Sequence, residues 1–428
     1  MRKTKPSRRR VLKGMATAIA APYFVPARVL GKDGAVAPSN QVTLGVIGYG
    51  NRARSILPHF LRLPEVRCIA ASDVQAKRLD QCKQLVDGHY KNADLKAHPD
   101  FRELLGRGDV QAVFIATGNR WHGMGSIMAM RAGKDVYSEK PICLTIEEGR
   151  AIVNAANRTG AIYQAGHQRR SVDSYRFVVE CVRKGLIGKL TEIEWQCWTG
   201  TAVKPRKDEP VPAGLDWDMW LGQTPWHEYN AARMQQWQLF YDTAEGWLTD
   251  MGVHYTDIAQ WGNDSDHTGP VEFEGSANWD PGAMSDTPIT GEVTATYADG
   301  VRMRMIQKGA FGERYIKFTG DKGHIRLDDH TDVVTAEPRE ILRRRGAGGK
   351  SWADTGGHIG NWLNSIKTRQ PAVANPETAF RATAICLILN ICLRLGRKVK
   401  WDPVAEKFVG DEEANRMLSR AVRGPWRL

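Results

Sequence analysis

A short glycine-rich turn is the first feature of the sequence that could do chemistry. Gly48 and Gly50 follow an apolar run of strand length, and Ala53 comes three residues later at the start of a helical pattern. Gly48 permits a tight turn, Gly50 lets a diphosphate approach the backbone, and the small Ala53 allows the helix to pack close to the strand. The unpaired N–H groups of a helix N-terminus attract phosphate. We therefore predict a dinucleotide site here, with Asn51 and Arg52 among its contacts.

An aspartate at the end of the second apolar run supports this interpretation. Asp73 lies 23 residues after Gly50. A carboxylate in this place accepts hydrogen bonds from ribose hydroxyls and repels a 2′-phosphate, so the sequence favours NAD over NADP. The alternative is a structural turn with an aspartate on the surface.

A third polar stretch, Thr117 to His122, follows the next buried run. Ligands of parallel sheets bind beyond the carboxyl ends of the strands. Thr117 and Asn119 are therefore expected to line the nicotinamide ribose. His122 is a further candidate, although it and Trp121 could equally be packing residues.

Alternating strands and helices must position these residues. Runs of strand length recur at 42–48, 65–72, 110–116, 135–138 and 161–165, with helical patterns between them. Such alternation over about 120 residues predicts a parallel, doubly wound sheet. The predicted fold class is α/β, with an N-terminal Rossmann dinucleotide-binding domain at 41–165.

The pattern changes after Gly166. Long alternating runs at 191–199, 291–297, 301–307 and 315–319 predict strands, and Asp299-Gly300 predicts a hairpin turn. One helix is expected at 247–261 and another at 379–395. Residues 166–428 are thus predicted to form an α+β substrate domain with a large, mainly antiparallel open sheet and a C-terminal extension. Since such a sheet usually needs covering, a homodimer or homotetramer is expected.

The first forty residues are of a different kind. Arg8 and Arg9 precede an apolar, alanine-rich run that ends near Ala27. This resembles a twin-arginine export signal, followed by a linker to residue 40. The sequence therefore predicts a periplasmic or exported protein that uses the twin-arginine machinery, with the signal cleaved or kept as an anchor. The alternative is a disordered basic tail.

The N-terminal segment also accounts for most of the net charge. Residues 1–27 carry seven positive and no negative side chains, so removing them lowers the net charge from +12 to +5. The remaining basic block, at 343–345, has no interleaved aromatic residues, and nucleic-acid binding is not expected. No stretch after residue 41 reaches the roughly 18 apolar residues of a membrane span, so none is predicted in the mature chain.

The seven cysteines are odd in number, and none forms a C-x-x-C pair. We interpret them as small core residues and predict neither a disulfide framework nor a zinc site.

A family resemblance becomes specific at Glu139-Lys140-Pro141, about 90 residues after the glycine turn. Together with that turn, Asp73 and Ala116-Thr117, it resembles the cofactor domain of the Gfo/Idh/MocA oxidoreductases, which include glucose–fructose oxidoreductase and inositol dehydrogenase. In the second half, Asp250-x-x-x-His254 resembles the family's catalytic pair, and the C-terminal segments resemble exported bacterial members.

The resemblance implies a catalytic set of Lys140, Asp250 and His254. Asp250 and His254 are four residues apart, which places them on one face of a single helix. His254 would take a hydroxyl proton and Asp250 would orient it or bind a neighbouring hydroxyl, while Lys140 would place a cation near the reacting oxygen. Glu139 and Lys140 would also contact the dinucleotide.

Substrate contacts are predicted at Gln168 and Arg169, where the chain enters its second domain, and at Asp257, which could instead hold the imidazole of His254. A packed core histidine or a plain helix salt bridge are the alternatives for the Asp250–His254 pair. A metal site is not predicted, because no second imidazole or cysteine lies at ligand spacing.

The predicted function is hydride transfer between NAD and a hydroxyl of a sugar or polyol. Because free NAD is expected to be scarce outside the cytoplasm, an exported enzyme would hold its cofactor tightly and run a redox-balanced cycle. One alternative is an NAD-dependent glycoside hydrolase that acts by oxidation, elimination and reduction. Another is a sugar-binding protein without catalysis, which would have lost Lys140 or His254.

Overall fold

Within the described residues, 36–344 and 356–427 of a computed structural model, six strands form a first sheet. They are β1 (Val42–Ile47), β2 (Val66–Ser72), β3 (Lys96–His98), β4 (Ala112–Ile115), β5 (Asp135–Ser138) and β6 (Tyr163–Ala165). The helices between them are α1 (Asn51–Leu61), α2 (Ala76–Tyr90), α3 (Phe101–Leu105), α4 (His122–Arg131) and α5 (Ile146–Thr159). All pairings are parallel, in the order β3-β2-β1-β4-β5-β6.

This strand order has a functional consequence. The chain reverses direction across the sheet between β1 and β4, and ligands of such sheets bind at that switch point. The turns that follow β1, β2, β4, β5 and β6 therefore meet at one edge. Those turns contain most of the residues that the sequence singles out.

Nine strands of the described chain form a second sheet. They are β7 (Leu190–Cys197), β8 (Glu272–Asn278), β9 (Thr290–Thr296), β10 (Arg302–Gln307), β11 (Tyr315–Gly320), β12 (Gly323–Asp328), β13 (Val334–Glu337), β14 (Val399–Asp402) and β15 (Lys407–Phe408). The order is β13-β12-β11-β7-β10-β9-β8-β14-β15, and β7 and β10 make the one parallel pair in this described sheet. The predicted fold class, a Rossmann domain followed by a mainly antiparallel α+β domain, is confirmed.

The remaining helices belong to the second half of the chain. They are α6 (Asp173–Arg183), α7 (Trp217–Leu221), α8 (Ala231–Gln235), α9 (Trp247–Asp250), α10 (Gly252–Gly262), α11 (Gly356–Thr368), α12 (Pro376–Leu395) and α13 (Glu412–Asn415). Short 3₁₀ turns occupy Pro38–Asn40, Asn119–Trp121, Gln168–Ser171, Trp237–Leu239, Arg339–Arg344 and Arg416–Leu418. The chain divides into the units Met1–Gln41 and Val42–Leu428, and the predicted export signal at 1–27 lies outside the described residues.

Helix α12 is the central core helix. It is apolar all round and packs against α5, α10 and β8. It is long and apolar enough to cross a membrane by composition alone, but 83% of its most apolar window is buried inside the protein. Its neighbour α11 returns to the first sheet, where Trp362 packs edge-on against Phe60 and Tyr137.

The outer face of the second sheet is polar. Glu192 and Glu194 of β7 alternate with buried residues, and they pair with Arg302 and Arg304 of β10. Arg304 also pairs with Glu292 of β9 at 2.7 Å. Cross-strand ion pairs suit a face in contact with water. The homodimer or homotetramer expected through this sheet stays a prediction.

One predicted element differs. The helix expected at 247–261 is two helices, α9 and α10, interrupted at Met251. The amide of His254 bonds to the carbonyl of Met251, three residues back, instead of continuing the four-residue ladder. Asp250 thus ends one helix and His254 lies in the next. The seven cysteines, expected in the core, are all buried.

Candidate active site

The glycine turn after β1 requires glycine at its first position. Gly48 has φ +85°, and a Cβ there would lie 2.8 Å from Cγ2 and 2.9 Å from Cα of Thr117. The missing side chain therefore lets the turns after β1 and β4 touch. Helix α1 begins at Asn51 with Gly50 as its N-cap and no side-chain cap. Its first N–H groups remain available to an anion.

Asp73 joins the glycine turn to the loop after β2. Its carboxylate accepts hydrogen bonds from the amides of Tyr49 (2.7 Å) and Gln75 (2.8 Å). Burial raises the pKa of Asp73, while these two donors and the positive charge of Arg78 act in the opposite direction. The carboxylate predicted to meet the ribose is thus rigidly held, with a cation nearby.

These turns enclose a cleft of about 1020 Å³, a volume that suits a large ligand. All ten residues predicted to bind the dinucleotide border it: Gly48, Gly50, Asn51, Arg52, Asp73, Thr117, Asn119, His122, Glu139 and Lys140. The open helix end, the fixed carboxylate and the glycine cradle fit a nicotinamide dinucleotide.

A cluster of three polar side chains lies at the β4–β5 end of this cleft. The ammonium of Lys140 donates to the carbonyl of Asp250 at 2.6 Å and lies 3.3 Å from its Oδ1. The amide of Asn119 donates to the same Oδ1 at 3.2 Å. The contact between Lys140 and Asp250 thus joins the loop after β5 to helix α9 of the second half of the chain.

Two further residues hold the segment around Lys140. Glu139 lies 3.2 Å from Arg52 and accepts a hydrogen bond of 2.8 Å from Gln168. The imidazole of His122 lies 2.7 Å from the carbonyl oxygen of Pro141. Burial lowers the pKa of His122, so its ring is neutral at neutral pH. These contacts fix the backbone on both sides of the lysine.

His254 is buried near the cluster but does not border the cleft. Burial, followed by the positive charges of Arg169 and Lys140, holds the pKa of His254 well below its ordinary value of 6.5. Its Nδ1 has no hydrogen-bond partner within the described ranges. The structure therefore keeps the imidazole of His254 neutral, within reach of the charge of Lys140 but away from the border of the cleft.

The three predicted substrate residues do not reach the cleft. Asp257 is fully buried, accepts hydrogen bonds of 2.8 and 2.9 Å from Arg170, and lies 3.0 Å from His167. Asp257 therefore holds His167 and Arg170. It does not hold the imidazole of His254, which was the alternative to a substrate contact in the sequence analysis. Arg169 pairs with Asp329 at 2.7 Å, because a buried guanidinium needs a carboxylate. Gln168 is likewise occupied by Glu139 and by Tyr137.

Sequence reasoning missed a segment that crosses the cleft, residues 212–224, which we call the cover. On the β2 side, the amide of Ala76 donates to the carbonyl of Gly214 (2.8 Å). On the β4 side, the indole of Trp121 donates to the carbonyl of Met219 (2.8 Å). A Cβ at Gly222, which has φ +61°, would lie 2.5 Å from Trp121. The one signal in the sequence was the density of tryptophans between 195 and 261.

The cover is anchored at its far end as well. Gln223 donates to Glu148 of α5 at 3.0 Å. The C-terminal tail adds a hydrogen bond of 2.6 Å from Arg423 to the carbonyl of Gly222, and Trp426 packs edge-on against Trp121. The second half of the chain thus closes over the cleft of the first.

A cofactor cleft on a doubly wound sheet, closed by an antiparallel domain that supplies the partner of a lysine, defines a two-domain oxidoreductase. Residues 42–167 match the NAD-binding Rossmann fold of the oxidoreductase family, and residues 176–428 match its C-terminal alpha/beta domain. The chain belongs to the Gfo/Idh/MocA family of oxidoreductases, which confirms the predicted family and enzyme class.

Three relatives show the range of this similarity. A glycosyl hydrolase family 109 protein of Saccharopolyspora erythraea is 38% identical over 28% of the chain and 26% of its own length. A 1,5-anhydro-D-fructose reductase of Ensifer adhaerens is 26% identical over 60% of the chain and 67% of its own. A 3-ketoreductase from Actinomadura kijaniata, solved with NADP, has the same fold (TM-score 0.62, 17% identity, 83% and 98% covered).

Proposed function

We propose that the protein transfers a hydride between NAD and a hydroxyl-bearing carbon of a sugar or polyol. The observation that carries this proposal is the Lys140–Asp250–Asn119 cluster at one end of the dinucleotide cleft. The 1,5-anhydro-D-fructose reductase among the relatives supports a carbohydrate substrate.

The residues of the cluster divide the work of alcohol oxidation. Bound NAD supplies the hydride acceptor. The Lys140 ammonium carries three N–H donors, and Asp250 does not use all of them. Lys140 can therefore also donate to the reacting oxygen and stabilise the negative charge that develops on that oxygen. The role of base for the hydroxyl proton, which the family resemblance implies for His254, stays a prediction, because its imidazole does not border the cleft and its unpartnered Nδ1 is buried among the described atoms.

The cover supports a tightly held cofactor. Its hydrogen bonds to Ala76 and Trp121 lie on opposite banks of the cleft, so a dinucleotide beneath it could leave only after those contacts open. A retained cofactor suits a redox-balanced cycle, in which the substrate is first oxidised and a product then reduced.

The choice between NAD and NADP depends on two side chains at the ribose end. Asp73 disfavours a 2′-phosphate, whereas Arg78, which also borders the cleft, would attract one. We propose NAD because Asp73 is fixed by two backbone donors at the end of β2. A solved neighbour contains NADP, so both cofactors belong in the test.

The first experiment is the nicotinamide content of the purified protein. Denaturation followed by enzymatic assay of the supernatant should release close to one NAD per chain and little NADP. Sugars and polyols are then screened for reduction of the bound cofactor, read at 340 nm without added NAD. A protein that neither contains nor binds NAD or NADP would contradict the proposal.

Glycoside cleavage remains a second candidate because a family 109 glycosyl hydrolase is among the relatives. In that reaction, oxidation of a ring carbon acidifies the neighbouring C–H and permits loss of the leaving group. Release of nitrophenol from aryl glycosides without added cofactor would identify it. Absence of release, with free sugars reducing the bound NAD, would leave the oxidoreductase.

We further propose export by the twin-arginine pathway and assembly as a homodimer or homotetramer. The paired arginines Arg8 and Arg9 support export. Replacing both with lysine should keep the protein in the cytoplasmic fraction. Light scattering of the protein at several concentrations measures the oligomer.

A further inference from the structure

Arg120 is a buried cation at the edge of the cleft. It follows β4, is 3% exposed and borders the cleft. Its guanidinium lies over the indole of Trp220 in the cover, 3.6 Å from the ring centroid, and its Nε donates to the carbonyl of the same residue. A Cβ at Gly118 would collide with its Nη1. Two contacts to one tryptophan therefore hold the guanidinium against the cover, at the edge of the cleft.

Among the residues that the structure describes, no carboxylate pairs with this guanidinium, although a buried arginine normally has one. Within residues 36–344 and 356–427 its Nη1 has no hydrogen-bond partner. Asp242, whose charge acts on Arg120, is hydrogen-bonded to His227 (2.7 Å) and Arg233 (2.9 Å) instead. Burial lowers the pKa of Arg120 to about 9. A buried cation without a counter-ion is unfavourable, which points to a missing anion.

The other charges of the cleft sharpen this point. Arg52 faces Glu139 at 3.2 Å, and Lys140 faces Asp250 at 3.3 Å. Those two cations are thus matched by carboxylates of the chain. A ligand that enters with a negative charge would meet an uncompensated buried cation at Arg120, in addition to Arg78 at the ribose end of the cleft.

We infer that Arg120 is the anion-recognition residue of this cleft, and that its ligand is an oxyanion. The inference rests on the proposed function, because the two sources of such a group are a phosphate of the bound dinucleotide and the carboxylate of an acidic sugar. Both accept two parallel hydrogen bonds from a planar guanidinium, which lysine cannot offer. Since Trp220 belongs to the cover, the bound anion would also fasten the cover over the ligand.

The test compares the wild type with Arg120→Lys and Arg120→Met, and uses Arg131→Gln as a charge-matched control on the exposed end of α4. Binding is followed by tryptophan fluorescence, with protein stripped of cofactor. The probes are ADP-ribose against adenosine, and glucuronate against glucose in the NAD-loaded protein. The thermal unfolding of each ligand-free variant is measured beside them.

A phosphate ligand predicts at least a tenfold loss of ADP-ribose affinity in both Arg120 variants, with adenosine unchanged. A sugar carboxylate predicts unchanged ADP-ribose binding and a tenfold loss for glucuronate alone. In either case the ligand-free Arg120→Met variant should unfold at the wild-type temperature or above it, because an unpaired buried charge is removed.

Unchanged binding of all four probes by the Arg120 variants, or a lowered unfolding temperature with unchanged affinities, would overturn the inference and leave the proposed function standing. A wild type that binds neither ADP-ribose nor NAD would overturn both.

Discussion

Two buried aspartates seven residues apart have opposite surroundings. Asp250 borders the cleft, where its partners are the ammonium of Lys140 and the amide of Asn119. Asp257 faces the interior, where Arg170 and His167 surround it. Burial alone would raise the pKa of Asp257, but the charges of Arg170 and His167 lower it to about 2.

The comparison distinguishes Asp257, whose ion pair stabilises the fold, from Asp250, whose ion pair a ligand can reach. Arg170 also pairs with Asp266 at 2.6 Å, so the positive charge beside Asp257 is compensated inside the protein. Lys140 is open to the cleft and can exchange part of its contact with Asp250 for a substrate oxygen. The same residue type, on consecutive helices, thus serves structure in one case and chemistry in the other.

The same substitution at both positions gives opposite results. Asp250→Asn should lower kcat/KM about 10²- to 10⁴-fold, because Lys140 loses the carboxylate that orients it. Its free energy of unfolding should fall less than that of Asp257→Asn, because the carbonyl that accepts the 2.6 Å hydrogen bond from Lys140 belongs to the backbone and is kept. The rate is measured as reduction of bound NAD by the best sugar of the screen, and urea unfolding gives the stability. A stable variant with wild-type kcat/KM would contradict the role of Asp250.

Asp257→Asn should instead act on stability. Arg170 would keep Asp266 but lose its fully buried carboxylate, which should cost about 3 kcal/mol, and urea unfolding measures this directly. Adding Arg170→Met removes the under-compensated cation and should restore part of that loss, since partners in one network do not act additively. If Asp257→Asn were fully stable but inactive, Asp257 would belong to the chemistry and the contrast with Asp250 would fail.

The cofactor edge of the fold could be predicted because its signals are local. Gly48, Gly50 and Asp73 each need a particular residue type at a fixed distance from a strand end, and the sequence displays that spacing. Lys140 and Asp250 come from distant parts of the chain. Their meeting was implied by the family resemblance, and the structure brings them within 3.3 Å.

The partners of the buried charges could not be predicted in this way. No local pattern indicates that Arg169 pairs with Asp329, 160 residues away, or that Arg170 pairs with Asp257 of helix α10. A polar residue near a strand end therefore looks the same whether it meets a ligand or another side chain. The cover could not be predicted either, because it is an irregular segment whose contacts across the cleft are made through its backbone carbonyls.

Glu148 is a third buried carboxyl group that can be compared with Asp250 and Asp257. It is fully buried like Asp257, but its direct partners are uncharged: the amides of Leu144 and Met124, and the side chain of Gln223. Burial raises the pKa of Glu148 to about 7, and these hydrogen bonds only partly oppose the shift. Burial with a directly paired cation thus leaves the pKa of Asp257 lowered, whereas burial with only the more distant charge of Arg420 leaves the pKa of Glu148 raised.

The pH dependence of stability should show this difference. The folded protein keeps a proton on Glu148 that the unfolded chain releases, so its contribution to stability is lost as the pH rises from about 4.5 to about 7. Glu148→Gln removes this term while keeping the shape of the side chain. The variant should therefore gain stability relative to the wild type between pH 5 and pH 8, by on the order of 3 kcal/mol. Urea unfolding of both proteins at the two pH values measures the gain, and other titrating groups cancel in the difference. If the difference in unfolding free energy between the two proteins did not depend on pH, Glu148 would be charged in the folded protein over this range. The lack of a directly paired cation would then not distinguish Glu148 from Asp257.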